Sequence, residues 1–338
     1  MDKPVNFAVV GTSIGRYHLQ GISNIPSVAR LAGVCDINED RAREMAEKYQ
    51  ADFYTTDFNE LLRREDVDAI TLAVPHDLHH SMAVAAANAG KHILVEKPIA
   101  TTLEQADEVI AAAKKNNVKL MIGHNMRYLG QYAKAKELVE QDVIGKPYLL
   151  TATVHVYSNT GGFRTILKHL GGGALIDSGV HRFDLIRWIM GDIKRVYGKI
   201  GTFLNMQMEG EDTAVLVMEF ESGAIGTFSC SWVAKAYEHE ETLQIFGTKG
   251  SVLATYYSPT LKVRSDTPPE GWQNLSEFTY SIDQPMSMQM EIEDFARSII
   301  NDEQPPVTGE DGRKSLELTL ATYHASKTGQ PVDLPMKS

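Results

Sequence analysis

A chain of 338 residues, 43% hydrophobic and 23% charged, has globular composition and predicts two domains at about 100–200 residues each. Its 33 basic against 44 acidic side chains leave a net charge of −11 with no basic run, which argues against a nucleic-acid partner. Two cysteines, Cys35 and Cys230, cannot build a disulfide framework, no apolar stretch approaches the about 20 residues of a membrane span, and the first strand leaves no room for a signal peptide; the expectation is a cytoplasmic protein without membrane contact.

Residues 4–123 alternate short apolar runs, at 5–10, 31–35, 69–73, 92–95 and 119–123, with helical patterns such as 41–49, 81–89 and 103–115. Runs without polar alternation belong to parallel strands covered on both faces. Their alternation with helices predicts a doubly wound α/β sheet over 1–125, which takes its ligand at the carboxyl ends of the strands. After a helix at 131–141 the pattern changes. Residues 149–157, 213–220 and 226–233 read as strands with one packed and one exposed face, flanked by helices at 174–190, 288–300 and 312–328. This predicts an α+β domain over 126–338 on a largely antiparallel sheet. No long linker separates the halves, so the domains are expected to pack around a cleft, with the C-terminal segment returning to the first domain.

The first strand ends in Gly11-Thr12-Ser13-Ile14-Gly15 and enters a helix. Such a turn offers backbone N–H groups and a helix dipole to a pyrophosphate. It is one residue shorter than G-x-G-x-x-G, and a plain tight turn is the competing reading. Asp36, followed by Ile37, closes the second strand. It is placed to accept ribose hydroxyls and to repel a 2′-phosphate, favouring NAD over NADP; alternatively it caps the next helix, a task Asn38 fills equally well. Turn, acid and strand–helix–strand context together point to dinucleotide binding.

Glu96-Lys97-Pro98 follows the fourth apolar run. The proline restricts Lys97 to an extended backbone, and a lysine in a partly desolvated cleft exchanges protons; a surface ion pair is the alternative. Further on, Gly171-Gly172-Gly173 frees the backbone for close approach. Asp177 and His181, spaced i, i+4, project from one helical face and suit a general base acting on an alcohol. A helix brace or a metal pair competes, but local third and fourth ligands are missing, and no metal is expected. His124, after the run 119–123, is a candidate to line the cleft.

Together these motifs resemble the Gfo/Idh/MocA family over nearly the whole chain. Gly15-Arg16-Tyr17-His18 is similar to its G-x-x-H, and Val74-Pro75-His76-Asp77-Leu78-His79 stands where the family has T-P-N-x-x-H, with His76 for the asparagine. Glu96-Lys97-Pro98 matches E-K-P, and 171–184 matches G-G-G-x-x-x-D-x-G-x-H-x-x-D at every fixed position. The resemblance implies a Rossmann domain, then an α+β domain whose open sheet forms a homodimer or homotetramer interface. It implies hydride transfer between the nicotinamide of NAD and a carbinol carbon of a sugar or cyclitol. Lys97 would hydrogen-bond the reacting oxygen, His181 would be the acid/base, and Asp177 would orient it or bind a substrate hydroxyl. Pro75, His76, His79 and Glu96 would join Gly11–Gly15 and Asp36 at the cofactor, with Lys97–Pro98 a cis peptide. His155 and Arg164 are substrate-contact candidates, and Trp232 and Tyr237 are candidates either to stack a sugar face or to serve as core or interface. The expected function is an NAD-dependent dehydrogenase of a secondary hydroxyl. A closed redox cycle with retained NAD (glycosidase, dehydratase or epimerase) and a non-catalytic NAD-sensing regulator are the alternatives.

Overall fold

The computed structural model describes residues 3–158, 161–204, 207–236, 240–279 and 284–336. Among these, no helix is long and apolar enough to cross a membrane. The chain falls into two compact units: residues up to Tyr128 with 283–313, and residues 129–282 with the chain from Lys314 onward.

In the first unit, β1 (Val5–Val10), β2 (Ala29–Cys35), β3 (Phe53–Thr55), β4 (Ala69–Leu72), β5 (His92–Glu96) and β6 (Leu120–Gly123) form one parallel sheet in the order β3-β2-β1-β4-β5-β6. Every residue of β1 and β4 is buried, as expected where helices cover both faces. Strand order reverses between β1 and β4, so the carboxyl ends of those two strands mark the switch point at which such sheets bind ligands. The late segment belongs to this unit through its apolar face: Phe295 of helix Gln284–Ile300 sits 6.1 Å from Phe7 of β1, ring centre to ring centre. The backbone of Val307 then accepts a hydrogen bond from Ile122 of β6 at 3.1 Å.

The second unit is built on β7 (Pro147–His155), β8 (Ile193–Gly201), β9 (Thr213–Phe220), β10 (Ile225–Ser231), β11 (Glu240–Gly247), β12 (Gly250–Thr255), β13 (Thr260–Ser265), β14 (Leu275–Thr279) and β15 (Val332–Asp333). Their order is β14-β13-β12-β11-β7-β10-β9-β8-β15, antiparallel except for the parallel pair β7 and β10. Burial alternates along β9, with Ala214, Leu216, Met218 and Phe220 inside and Val215, Val217 and Glu219 outside. The inner face receives Phe183, whose ring meets Phe228 of β10 edge-on at 5.2 Å.

Three local features differ from the periodic reading. The segment 174–190 is not one helix but a π-helical turn, Leu175–Gly179, running into an α-helix, Val180–Met190. The helix expected at 81–89 already begins at His76, directly after Pro75. Finally, β3 and the helix Phe58–Leu62 are too short to show a period.

Candidate functional site

In the first unit, Gly11 adopts φ +85°, and a Cβ there would lie 2.3 Å from the Ala73 carbonyl oxygen, so only glycine lets the turn after β1 pass the end of β4. The following helix, Gly15–Ser23, has no side-chain cap at Ile14 and no acid in its first turn. A helix N-terminus in that state favours an anion. Of the two tasks read for Asp36, the cap falls to its neighbour. Asn38 caps the helix Glu39–Tyr49, accepting from Arg41 N at 3.0 Å. Asp36 instead ties the end of β2 to the turn: Oδ2 accepts from Thr12 N at 2.8 Å and Thr12 Oγ1 at 2.6 Å, and Oδ1 from Asn38 N at 2.9 Å. Beside it Ile37 is 97% exposed, an apolar surface suited to a flat ring.

His79 is fully buried between the loops that follow β4 and β5. Its Nδ1 lies 2.6 Å from Pro98 O and its Nε2 2.9 Å from Val74 O. Burial lowers the pKa of its imidazole and outweighs the two carbonyls and Glu96, which favour the cation. Its ring centre stands 5.6 Å from that of His76, itself buried. Glu96 is buried too, and Oε1 sits 2.8 Å from His18 Nε2. Burial alone would raise its carboxyl; the His18 hydrogen bond and the charges of His18 and Lys97 prevail and hold it below the usual range. Lys97 is half-buried, and the Lys97–Pro98 bond is cis. His124 lies just past β6 and is only 1% exposed.

In the second unit, Asp177 sits in the π-helical turn, a rare conformation that is frequent at functional sites. It is 6% exposed, and its Oδ2 accepts from Arg164 Nε at 2.8 Å. His181 opens the α-helix that follows and is half-buried. Sequence reasoning missed what fixes this segment. Arg182 forks onto the buried Glu241 of β11, Nε to Oε1 at 2.9 Å, and donates NH1 to Ser178 O at 2.8 Å. Burial opposes the Arg182 charge, but Glu241 prevails and raises its pKa. Trp232 is buried and donates its indole N–H to Ser178 Oγ at 2.9 Å, so it braces the turn rather than presenting a face.

The structure brings Arg164 to Asp177 but not His155. His155 Nε2 lies 2.8 Å from Ser229 Oγ, and Nδ1 lies 3.4 Å from Glu240 Oε2, on the open face of the sheet. The neighbouring Cys230 points the other way, toward Ala174 O. Tyr237 lies outside the described residues. Among the described residues, no group of three or more His, Cys, Asp or Glu side chains is disposed to hold a metal ion.

Residues 5–124 match the family profile described as an oxidoreductase family with an NAD-binding Rossmann fold, and residues 132–253 match the Gfo/Idh/MocA C-terminal domain. The chain is 33% identical to the oxidoreductase YrbE of Bacillus subtilis over 99% of this chain and 98% of that one. It is 31% identical to the myo-inositol 2-dehydrogenase of Thermotoga maritima over 98% of each. The fold matches that of levoglucosan dehydrogenase in complex with NADH at a TM-score of 0.93, covering 99% of this chain and 100% of that one at 22% identity. A switch-point turn latched by an acid, an E-K-P strand end and a G-G-G…D…H turn, in that order and in profiles matched across both units, leave one assignment: the chain belongs to the Gfo/Idh/MocA family of NAD-binding oxidoreductases.

Proposed function

We propose that the protein is an NAD-dependent dehydrogenase oxidising a secondary hydroxyl of a sugar, sugar derivative or cyclitol. The observation that carries this reading is the buried Asp177, paired with Arg164 and one turn before the half-buried His181. Similarity to a myo-inositol 2-dehydrogenase supports the cyclitol class. The residues around the first unit's switch point fit NAD: a glycine cradle that a Cβ would fill, an uncapped helix start and a pre-oriented carboxylate. Asp36 would accept the ribose hydroxyls, and a 2′-phosphate there would meet its negative charge. When bound, the nicotinamide supplies the two-electron acceptor.

In this reading Lys97 hydrogen-bonds the reacting oxygen and offsets the negative charge that grows on it. His181 takes the hydroxyl proton as general base, an imidazole being matched to neutral pH. Asp177, its charge balanced by Arg164, orients that imidazole or binds a neighbouring hydroxyl. The open face of the second unit's sheet would meet a second copy, giving a homodimer or homotetramer.

The test follows NADH absorbance with NAD⁺ and NADP⁺ against neutral sugars and cyclitols, myo-inositol included. Turnover with NAD⁺ on one polyol class is expected. Lys97→Ala should lower kcat by about 10²–10⁴-fold while NADH still binds. Unchanged turnover in that variant would overturn the assignment.

A further inference from the structure

The pair Arg164–Asp177 is carried by chain with little regular structure. Arg164 lies in the 3₁₀ helix Gly162–Thr165, which is followed by a single helical turn, Leu167–Leu170, and Asp177 lies in the π-helical turn. Such pieces do not set their own separation; something firmer must. The segment Glu209-Gly210-Glu211 contacts both. On one side, the Glu209 backbone N–H donates to Thr165 O at 3.0 Å, and its Oε2 accepts from Leu167 N at 2.7 Å, so its two bonds bracket the loop beside Arg164. On the other, the buried Glu211 accepts at Oε1 from Leu175 N, the first residue of the π-helical turn, at 2.8 Å and from Tyr323 OH at 3.0 Å. Its backbone oxygen accepts from Ala174 N at 2.8 Å.

Between the two acids the backbones nearly touch. A Cβ on Gly210 would lie 2.2 Å from Gly172 O, and one on Gly173 would lie 1.9 Å from Glu211 O. The triple glycine therefore serves a contact between two stretches of this chain. Two residues on, the segment enters β9, which is paired on both sides by β8 and β10. The reference point is an interior strand of the sheet, third from its β15 edge.

We propose that Glu209 and Glu211 are positioning residues for the substrate-side constellation: Glu209 holds the Arg164 loop, Glu211 holds the Asp177 turn, and Gly210 between them fixes the separation that sets the Arg164–Asp177 pair. The catalytic consequence rests on the dehydrogenase reading; the positioning itself does not.

Two measurements on the full chain separate these. In a proton–nitrogen correlation spectrum of the ligand-free protein, the Arg164 Nε–H signal, assigned by its loss in Arg164→Lys, should be protected from solvent exchange. In Glu209→Ala that protection should be lost. With NAD⁺ and whichever polyol turns over, Glu209→Ala should raise the polyol KM about tenfold with kcat within about twofold, as for one lost hydrogen bond to a charged group. Glu211→Ala should lower kcat about a hundredfold, the cost of a displaced acid/base helix. Glu211→Gln, whose amide oxygen accepts the same two bonds, should return kcat to within about threefold of wild type, which loss of fold would not predict. A protected Arg164 signal in Glu209→Ala overturns the proposal, as does Glu211→Gln impaired as badly as Glu211→Ala. If Glu211→Ala does not fold, Glu209→Ala still decides, because its side chain is exposed. If the wild type turns over no polyol, the dehydrogenase reading falls, and the exchange measurement alone settles the positioning.

Discussion

Asp36 enters any encounter with a ligand already fixed. Three hydrogen bonds, two from Thr12 and one from the Asn38 backbone, hold its carboxylate against the switch-point turn. Bonds to an ionised acceptor are the stronger kind, so little side-chain freedom remains to be lost on binding. Asp36→Ala should therefore weaken NADH by about tenfold and narrow the preference over NADPH, as measured by fluorescence titration with both nucleotides. An unchanged ratio would remove Asp36 from cofactor selection. His79 makes a second prediction, for stability. Burial lowers its folded pKa below the unfolded value of about 6.5, so the unfolded chain binds the extra proton first. Its contribution is complete above that pH and is lost as pH falls through the folded value. Glu96, also depressed, adds a loss of the same sign below the ordinary glutamate range of about 4.3. The urea midpoint should fall from pH 7 to pH 5, and His79→Gln should flatten that slope. His79, inside the helix His76–Asn88, came only from the resemblance, whereas Asp36 and Glu96 were legible in the sequence as candidates because their types sit at strand ends in fixed motifs. Glu209 and Glu211 were not: two glutamates ahead of a strand read as solvated, and Glu211 is buried only because Tyr323 and the triple glycine reach it from far along the chain.

At the scale of elements, period alone makes 174–190 one helix. The π-helical turn arises instead from packing, where Gly173 and Ala174 are drawn against the backbone of Glu211. Gly173→Ala should consequently destabilise the fold by about 1–3 kcal/mol through overpacking, read from urea unfolding. Gly161→Ala, where a Cβ would meet nothing within 4 Å, is the control and should change little. Equal effects would mean that the close approach is not what the glycine serves. The same gap between pattern and packing explains His155. Strand alternation groups it with Thr151 and Thr153, but alternation does not say which set faces the helices. That is decided when Leu150, Ala152 and Val154 turn inward, which leaves His155 on the open side with Ser229. The parallel pairing of β7 with β10 was likewise invisible, since it depends on where the chain between them returns to the sheet.

For the whole molecule, the open face of the nine-stranded sheet is the largest question that composition alone leaves unposed. Tyr197, Val217, Thr227, Thr151 and Gln244 are register neighbours on β8, β9, β10, β7 and β11, so one row of uncharged side chains crosses its middle. Val215, Val217 and Ile225 are 52%, 49% and 53% exposed there. Charge lies further out, as in the pair Lys262–Glu277 between β13 and β14. A neutral centre rimmed by charge supports the proposal that this face meets a second copy. If two copies meet on this face, light scattering should give a mass that is a multiple of 37.4 kDa. Val217→Lys places a charge in the centre of the row without touching the buried side of β9. It should lower the mass to that of one chain while leaving NADH affinity unchanged, since the nucleotide contacts proposed above lie in the other unit. A single-chain mass for the wild type would remove this face from assembly, and a multimeric Val217→Lys would move the interface elsewhere.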